Sequence, residues 1–122
     1  MNKYQALDKF FNSFELNAYE ENSIPKTAVM PYITYSIVTG FLAESGVGIS
    51  CNVWYKSNSW KDINAKVEEI SKRLYGGEIL HTDDGHIALY RGTPFSQNIP
   101  HSDADTTVKG KYINIYADYI TI

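Results

Sequence analysis

The fold is decided by residues 49–77, which read ISCNVWYKSNSWKDINAKVEEISKRLYGG and hold a strand pattern followed by a helix pattern. Between Ile49 and Tyr55, apolar residues alternate with polar or amphipathic ones, which is the two-residue period of a β-strand. Beyond Ser59, apolar residues recur at intervals of three and four, the period of a helix with one buried face. This apolar stripe consists of Trp60, Ile63, Val67, Ile70 and Leu74.

The ends of this helix carry capping signals. Ser59 is a favourable N-cap residue, Asp62 lies in the first turn, and Gly76 with Gly77 supplies a stop. The same stripe also fits two heptads of a coiled coil, because both arrangements bury residues at these intervals. We favour packing on a sheet, and we expect Cys51 of the preceding strand to be an inert core residue rather than a nucleophile.

On its N-terminal side, this stretch is preceded by a predicted helix, a connection and a predicted strand. Residues 3–16 form an amphipathic helix pattern, residues 32–38 a β-branched and aromatic strand, and residues 17–31 a polar connection. The strands at 32–38 and 49–56 are expected to pair as a hairpin. The apolar face of the first helix consists of Tyr4, Leu7, Phe11 and Phe14.

The C-terminal part of the sequence reads as β structure. Residues 78–82 and 86–91 predict a hairpin around Asp83-Asp84-Gly85, ended by Gly92 and Pro94, and residues 111–121 predict a long last strand. The inward positions of that strand are Ile113, Ile115, Ala117 and Tyr119. The predicted order is α-β-β-α-β-β-β, an α+β fold with helices packed on a mainly antiparallel sheet.

Length and composition limit the classes of function. The 122 residues suit a single domain spanning 1–122, and 11 basic against 14 acidic residues disfavour a broad duplex-DNA footprint. Cys51 has no second cysteine to pair with. No apolar run approaches the roughly 20 residues of a membrane span, and the N-terminus lacks a signal-peptide pattern. We therefore expect synthesis and folding in the cytoplasm without membrane association.

The sequence holds no recognisable catalytic or metal-binding motif. His81, Asp83, Asp84 and His86 lie close together at the predicted hairpin tip, but their spacing matches no zinc or calcium pattern, and His101 is remote from them in sequence. No phosphate-binding glycine loop or nucleophile-base pair is present. We therefore expect no metal, no cofactor and no enzymatic activity.

Two surface features remain as candidates for function. Residues 96–107 form a long polar segment without Lys or Arg, which we expect to be mobile in the free subunit and ordered on assembly; it includes Ser96, Gln97, Asp103 and Asp105. Trp54, Lys56, Tyr112 and Tyr116 fall opposite the apolar sides of their strands. Either the first helix covers part of that second sheet face, or the exposed aromatics belong to a subunit interface.

Several segments, in this order and spacing, resemble the small tail-terminator proteins of long-tailed bacteriophages and prophages, which are also called tail-completion or tail-to-head joining proteins. They are Pro31-Tyr32-Ile33-Thr34-Tyr35, Val53-Trp54-Tyr55-Lys56-Ser57 with Ser59-Trp60, Glu69-Ile70-Ser71 with Gly76-Gly77, Arg91-Gly92-Thr93-Pro94-Phe95 with Gln97, and Tyr112-Ile113-Asn114-Ile115 with Tyr119-Ile120. The resemblance runs from about residue 30 to the end. The segments around Trp54 and around Arg91 are its most specific parts.

The resemblance implies a structural role in the virion. Proteins of this family cap the tail tube as a ring, usually of six subunits, end tube polymerisation and offer a surface to the head connector. DNA passes through such a ring without sequence-specific binding. The expected interface residues are Trp54, Lys56, Tyr112 and Tyr116, with Arg91 bridging to an acid of a neighbouring subunit. The alternatives are a head-completion or stopper protein of the connector, and a small phage-encoded enzyme or inhibitor.

Overall fold

A computed structural model of the protein describes residues 1–36, 46–100 and 106–121. Within these ranges, two α-helices and six strands follow one another in the order α-β-β-β-α-β-β-β. They are α1 (Lys3–Phe11, continued by a 3₁₀ helix at Asn12–Phe14), β1 (Asn17–Glu20), β2 (Tyr32–Tyr35), β3 (Val47–Lys56), α2 (Lys61–Arg73), β4 (Glu78–Thr82), β5 (Gly85–Asn98) and β6 (Val108–Thr121).

The strands form one six-stranded sheet with the spatial order β1-β2-β3-β6-β5-β4. All neighbours are antiparallel except β1 and β2, which run parallel. The predicted α+β class is confirmed, as is the antiparallel pairing of the strands now labelled β2 and β3. The predicted element order is wrong by one strand, since β1 lies inside the segment expected to be a polar connection. Four residues are too few to show a strand period in the sequence.

Both helices pack on the same face of the sheet. The inward side chains of the strands join those of both helices in a single core, in which Phe11 of α1 stacks on Tyr35 of β2 at 4.5 Å between ring centroids. The helix stripe is buried as expected, with Ile63, Val67 and Ile70 at most 6% exposed. Because the stripe faces the sheet, the coiled-coil alternative is wrong. Of the two alternatives for the other sheet face, the one in which the first helix covers part of it is also wrong.

Helix α1 lies against β1 and β4, the two edge strands of the curled sheet. At its C-terminal end, the Asn12 side chain accepts a hydrogen bond from the Ala18 amide at 3.0 Å. At its N-terminal end, the Met1 carbonyl accepts one from the Asp83 amide at 2.9 Å. The first contact occupies an edge amide of β1, which is then unavailable for further pairing, and the second ties the N-terminal end of α1 to the β4–β5 turn. On the predicted apolar face of this helix, Leu7, Phe11 and Phe14 are buried, whereas Tyr4 is 55% exposed.

The start of α2 differs slightly from the prediction. The N-cap position belongs to Trp60, whose side chain makes no capping hydrogen bond, rather than to Ser59. The Ser59 hydroxyl oxygen instead accepts from the Lys61 amide at 3.1 Å. Ser59 therefore still satisfies one of the helix's unpaired N–H groups, from one position earlier than expected. Asp62 lies in the first turn, as predicted.

The hairpin of β4 and β5 turns through two residues, Asp83 and Asp84, because Thr82 pairs directly with Gly85. Gly85 has φ +155°, and a Cβ at this position would lie 1.8 Å from the Ile120 carbonyl oxygen. Only glycine allows β6 to approach the turn this closely. The predicted three-residue turn was therefore one residue too long, which changes the residues that face each other across the hairpin.

Strand β5 does not end at Gly92 and Pro94 as predicted. It continues to Asn98 after an irregularity in its pairing with β6 between Arg91 and Ser96. Such an irregularity accommodates a proline, which has no N–H to donate to the ladder. Ser96 and Gln97, expected in a mobile loop, instead pair with β6. Asp103 and Asp105, the two acidic residues of the predicted loop, lie outside the described residues.

Candidate functional site

The second face of the sheet carries no helix within the described part of the chain, and we call it the helix-free face. Its central residues are the outward side chains of β2, β3 and β6: Tyr32, Thr34, Asn52, Trp54, Lys56, Tyr112, Asn114 and Tyr116. The register places Tyr32 beside Trp54 and Thr34 beside Asn52, and Asn52 in turn lies beside Tyr112. Four of the five predicted interface residues therefore lie on one continuous surface.

Trp54 is the fixed centre of the helix-free face. Its indole N–H donates to the Thr34 hydroxyl at 3.0 Å, and Thr34 is itself only 3% exposed. The indole ring covers Gly110 of β6, where a Cβ would lie 2.7 Å from a ring carbon. Ile99 contacts the same place, and its amide donates to the Gly110 carbonyl at 2.9 Å. Trp54 is thus half-buried and held in one orientation, which lowers the entropy that it would lose on binding a partner.

Tyr112 and Tyr116 are the exposed aromatics of this face, at 38% and 37% of their surface. Tyr116 meets the Tyr90 ring edge-to-face at 5.9 Å, and the Tyr90 hydroxyl donates to Asp118 at 3.1 Å. Desolvation and the Asp118 carboxylate raise the pKa of Tyr90 above its ordinary value of 10.0. Tyr112 and Tyr116 present flat, amphipathic rings to solvent from β6, a strand that is paired on both sides.

A groove of about 260 Å³ lies beside Trp54 on the helix-free face. Its lining residues are Glu21, Ile24, Met30, Tyr32, Thr34, Asn52, Trp54 and Val108. The Asn52 side-chain oxygen is buried and has no hydrogen-bond partner among the described residues. A buried acceptor left unpaired costs about 1–3 kcal/mol. The groove itself is lined by both apolar and polar side chains.

Arg91 does not lie with the other predicted interface residues. It pairs with the inward residue Ile115 in the middle of β5, on the helix-covered side of the sheet. Its guanidinium donates to the Ser71 hydroxyl at 3.0 Å and lies 5.2 Å from the centre of the Tyr75 ring. The expectation that Arg91 lies at the end of its strand is therefore wrong, because β5 continues past it.

Two histidines come together in a way that the sequence spacing did not indicate. His81 and His86 are direct cross-strand partners, and their Nδ1 atoms lie 3.2 Å apart. Only the length of the turn could have indicated this contact in the sequence. A turn of two residues, rather than three, places positions 81 and 86 opposite each other. Within residues 1–36, 46–100 and 106–121, no group of three or more His, Cys, Asp or Glu side chains is arranged to hold a metal. His101 lies outside those ranges.

Cys51 is a core residue, as predicted. It is 1% exposed, and burial raises the pKa of its thiol well above the ordinary value, which disfavours the reactive thiolate.

Among the described helices, none is long and apolar enough to cross a bilayer. The arrangement with the clearest chemical character is therefore the helix-free face, a surface for contact through aromatic rings and hydrogen bonds.

Comparisons of the chain with protein-family models, with curated proteins and with solved structures find no match.

Proposed function

We propose that this chain is a tail-terminator protein of a long-tailed phage or prophage. In this role it caps the tail tube as a ring, ends tube polymerisation and joins the tail to the head connector in the virion. The proposal rests on the resemblance of residues 31–120 to that family. It is supported by the helix-free face, an unpartnered aromatic surface on a rigid sheet.

The helix-free face is the observation that carries the proposal, because an enclosed ring needs large, preorganised contact surfaces. Tyr and Trp are enriched at the energetic centres of protein interfaces, where they bury much area with few rotatable bonds. Trp54 is already fixed by Thr34, while Tyr112 and Tyr116 remain free to be covered. In a ring, this face of one subunit meets a different patch on the next, which is the heterologous contact that closes a cycle.

The charge of the chain agrees with a ring around DNA. The formal charge is −3, so the subunit has no excess of cations that would hold the duplex by its phosphates. A channel that lets DNA slide benefits from this balance, whereas a strongly basic lumen would retain it. Lys56 is the one cation among the central residues of the helix-free face defined above, and we assign it to the rim of the subunit contact.

Genetic complementation tests the proposal. A phage lacking this protein is expected to make tails of uncontrolled length that do not join heads, and the wild-type gene is expected to restore both properties. Electron microscopy of the particles gives the tail lengths and the joined fraction. Tails of normal length that are joined normally without the protein would rule the role out. Tails of normal length that remain unjoined would favour a head-completion protein instead.

A matched pair of variants tests the assigned surface. Tyr112→Glu places a charge on the helix-free face, and Tyr75→Glu places the same charge on a tyrosine that is 78% exposed beside the end of α2. Both proteins are expected to fold, since both side chains are exposed. Only Tyr112→Glu is expected to reduce complementation. Equal complementation by the two variants would remove the helix-free face from the proposal.

A further inference from the structure

The tip of the β4–β5 hairpin places two imidazole rings against each other. His81 and His86 pair across the strands, one residue away from the two-residue turn. Their ring centroids are 5.1 Å apart with planes at 82°, and the two Nδ1 atoms approach to 3.2 Å. His81 is exposed and His86 is half-buried, so the pair is open to solvent. Both side chains are held on the paired backbone of a hairpin rather than on a loose loop.

Two ring nitrogens at this distance either share a proton in an N–H···N hydrogen bond or share a cation. Each neutral imidazole has one nitrogen lone pair, and two lone pairs directed at the same point repel unless a proton or a cation lies there. In a tetrahedral zinc site with Zn–N distances of about 2.0–2.1 Å, two ligand nitrogens are separated by about 3.3–3.4 Å. The observed separation of 3.2 Å is within about 0.2 Å of that value, so the two nitrogens are already spaced as two ligands of one ion would be.

We propose that His81 and His86 form a two-histidine site for a divalent first-row transition metal, represented by Zn²⁺. Imidazole nitrogen is a ligand of Zn²⁺, Ni²⁺ and Cu²⁺, whereas Mg²⁺ and Ca²⁺ prefer oxygen, so the pair selects the first class. The site is independent of the tail-terminator role. It also reverses the expectation from the spacing alone, because spacing along the chain does not report which residues face each other across a hairpin.

The remaining coordination positions belong to water or to a donor from another molecule. The described residues offer no third ligand in a suitable arrangement. The two nearby carboxylates of the turn are already engaged, Asp83 with the N-terminal amine of Met1 and Asp84 with the Thr82 hydroxyl. Their negative charge favours a cation at the tip without ligating it. The bound ion ties β4 to β5 next to the last residue pair of the hairpin and thereby stabilises the folded state.

Isothermal titration of Zn²⁺ into the full-length chain, produced without a polyhistidine tag, tests the site. We expect one ion per chain, no comparable binding of Mg²⁺, and a rise in melting temperature with Zn²⁺ concentration. His81→Asn and His86→Asn should each weaken Zn²⁺ binding by about tenfold or more. His101→Asn, which removes the third histidine of the chain, is the matched control and should bind as the wild type does.

Folding of the variants is checked separately by circular dichroism and thermal melting in the presence of a chelator. Each is expected to melt near the wild-type temperature without metal, because neither histidine contributes a fully buried side chain. The proposal is overturned if the wild type shows no saturable Zn²⁺ binding up to about millimolar concentration. It is equally overturned if the double variant of His81 and His86 binds Zn²⁺ as tightly as the wild type.

Discussion

The two faces of the sheet are built by the same strands and differ in almost every other respect. On β6, Ile113 and Ile115 are at most 1% exposed beneath the helices, whereas the alternating residues Tyr112 and Tyr116 remain more than a third exposed. The covered face holds the apolar area that stabilises the fold. The helix-free face holds the exposed rings of Tyr112 and Tyr116, which add little to stability while uncovered. Substitutions on the first face should therefore alter unfolding, and those on the second should alter recognition.

The largest expected effect comes from placing a charge in the covered face. Val67→Asp buries an unpaired carboxylate at a position that is 6% exposed, and should cost about 3–5 kcal/mol of unfolding free energy. Urea denaturation measures the change. Glu68→Ala, at the adjacent exposed position of α2, is the control and should change the free energy by less than about 0.5 kcal/mol. Equal effects of the two substitutions would show that Val67 does not face the core.

A smaller effect is expected at the contact between α1 and β2. The Tyr35 hydroxyl donates to the Asp8 carboxylate at 2.5 Å, and Tyr35→Phe removes this bond while keeping the ring that stacks on Phe11. We expect a loss of about 1–2 kcal/mol at neutral pH. Urea denaturation of the variant measures it, with Tyr75→Phe at an exposed position as the control.

The same tyrosine should make stability depend on alkaline pH. Burial, and then the Asp8 carboxylate, raise the pKa of Tyr35 above its ordinary value of 10.0, so the unfolded chain loses this proton first. Stability is then complete below about pH 10 and falls as the pH rises further. Burial raises the pKa of Cys51 above its ordinary 9.0 and adds a decline in the same direction. Tyr35→Phe should flatten the decline above about pH 10 and leave the part below it unchanged; an unchanged slope above about pH 10 would contradict the assignment.

A modest effect on stability is expected at the contact between the C-terminal end of α1 and the edge strand β1. The Asn12 side chain accepts from the Ala18 amide at 3.0 Å, and Asn12→Ala should cost about 1 kcal/mol and speed hydrogen exchange of that amide. Asn58→Ala, at an exposed position before α2, should do neither. Unchanged exchange at Ala18 in the Asn12 variant would show that other groups protect the edge of β1.

The smallest change in stability is expected on the helix-free face itself. Tyr112→Ser removes an exposed ring and should alter the unfolding free energy by less than about 0.5 kcal/mol. The same variant should assemble poorly under the proposed function. A large loss of stability would mean that Tyr112 belongs to the core, and the contrast between the two faces would not hold.

The elements predicted correctly are those whose patterns repeat over many residues. Helix α2, β3 and β6 each present at least three periods of apolar spacing, and each is buried where the spacing placed it. The outward positions of Trp54, Lys56, Tyr112 and Tyr116 followed from the same alternation. Periodicity is reliable here because every period adds the same preference for one face.

The errors in prediction involve features that depend on one or a few residues. Strand β1 has four residues and forms by pairing with β2. The turn is shorter by one residue than predicted, and only the true length brings His81 opposite His86. Arg91 was assigned to a strand end because Gly92 and Pro94 suggested one, yet β5 continues to Asn98. Each of these depends on a partner strand that the local sequence does not identify.

The sequence by itself determined which side chains are apolar and at what period, because burial of apolar surface dominates folding and leaves its spacing in the chain. It thereby determined the class of fold and the core. Only the tertiary structure decided that both helices share one face and that α1 bridges the two edge strands. It also decided which outward residues become neighbours. These outcomes depend on pairing between distant strands, whose backbone hydrogen bonds are nearly independent of side-chain identity.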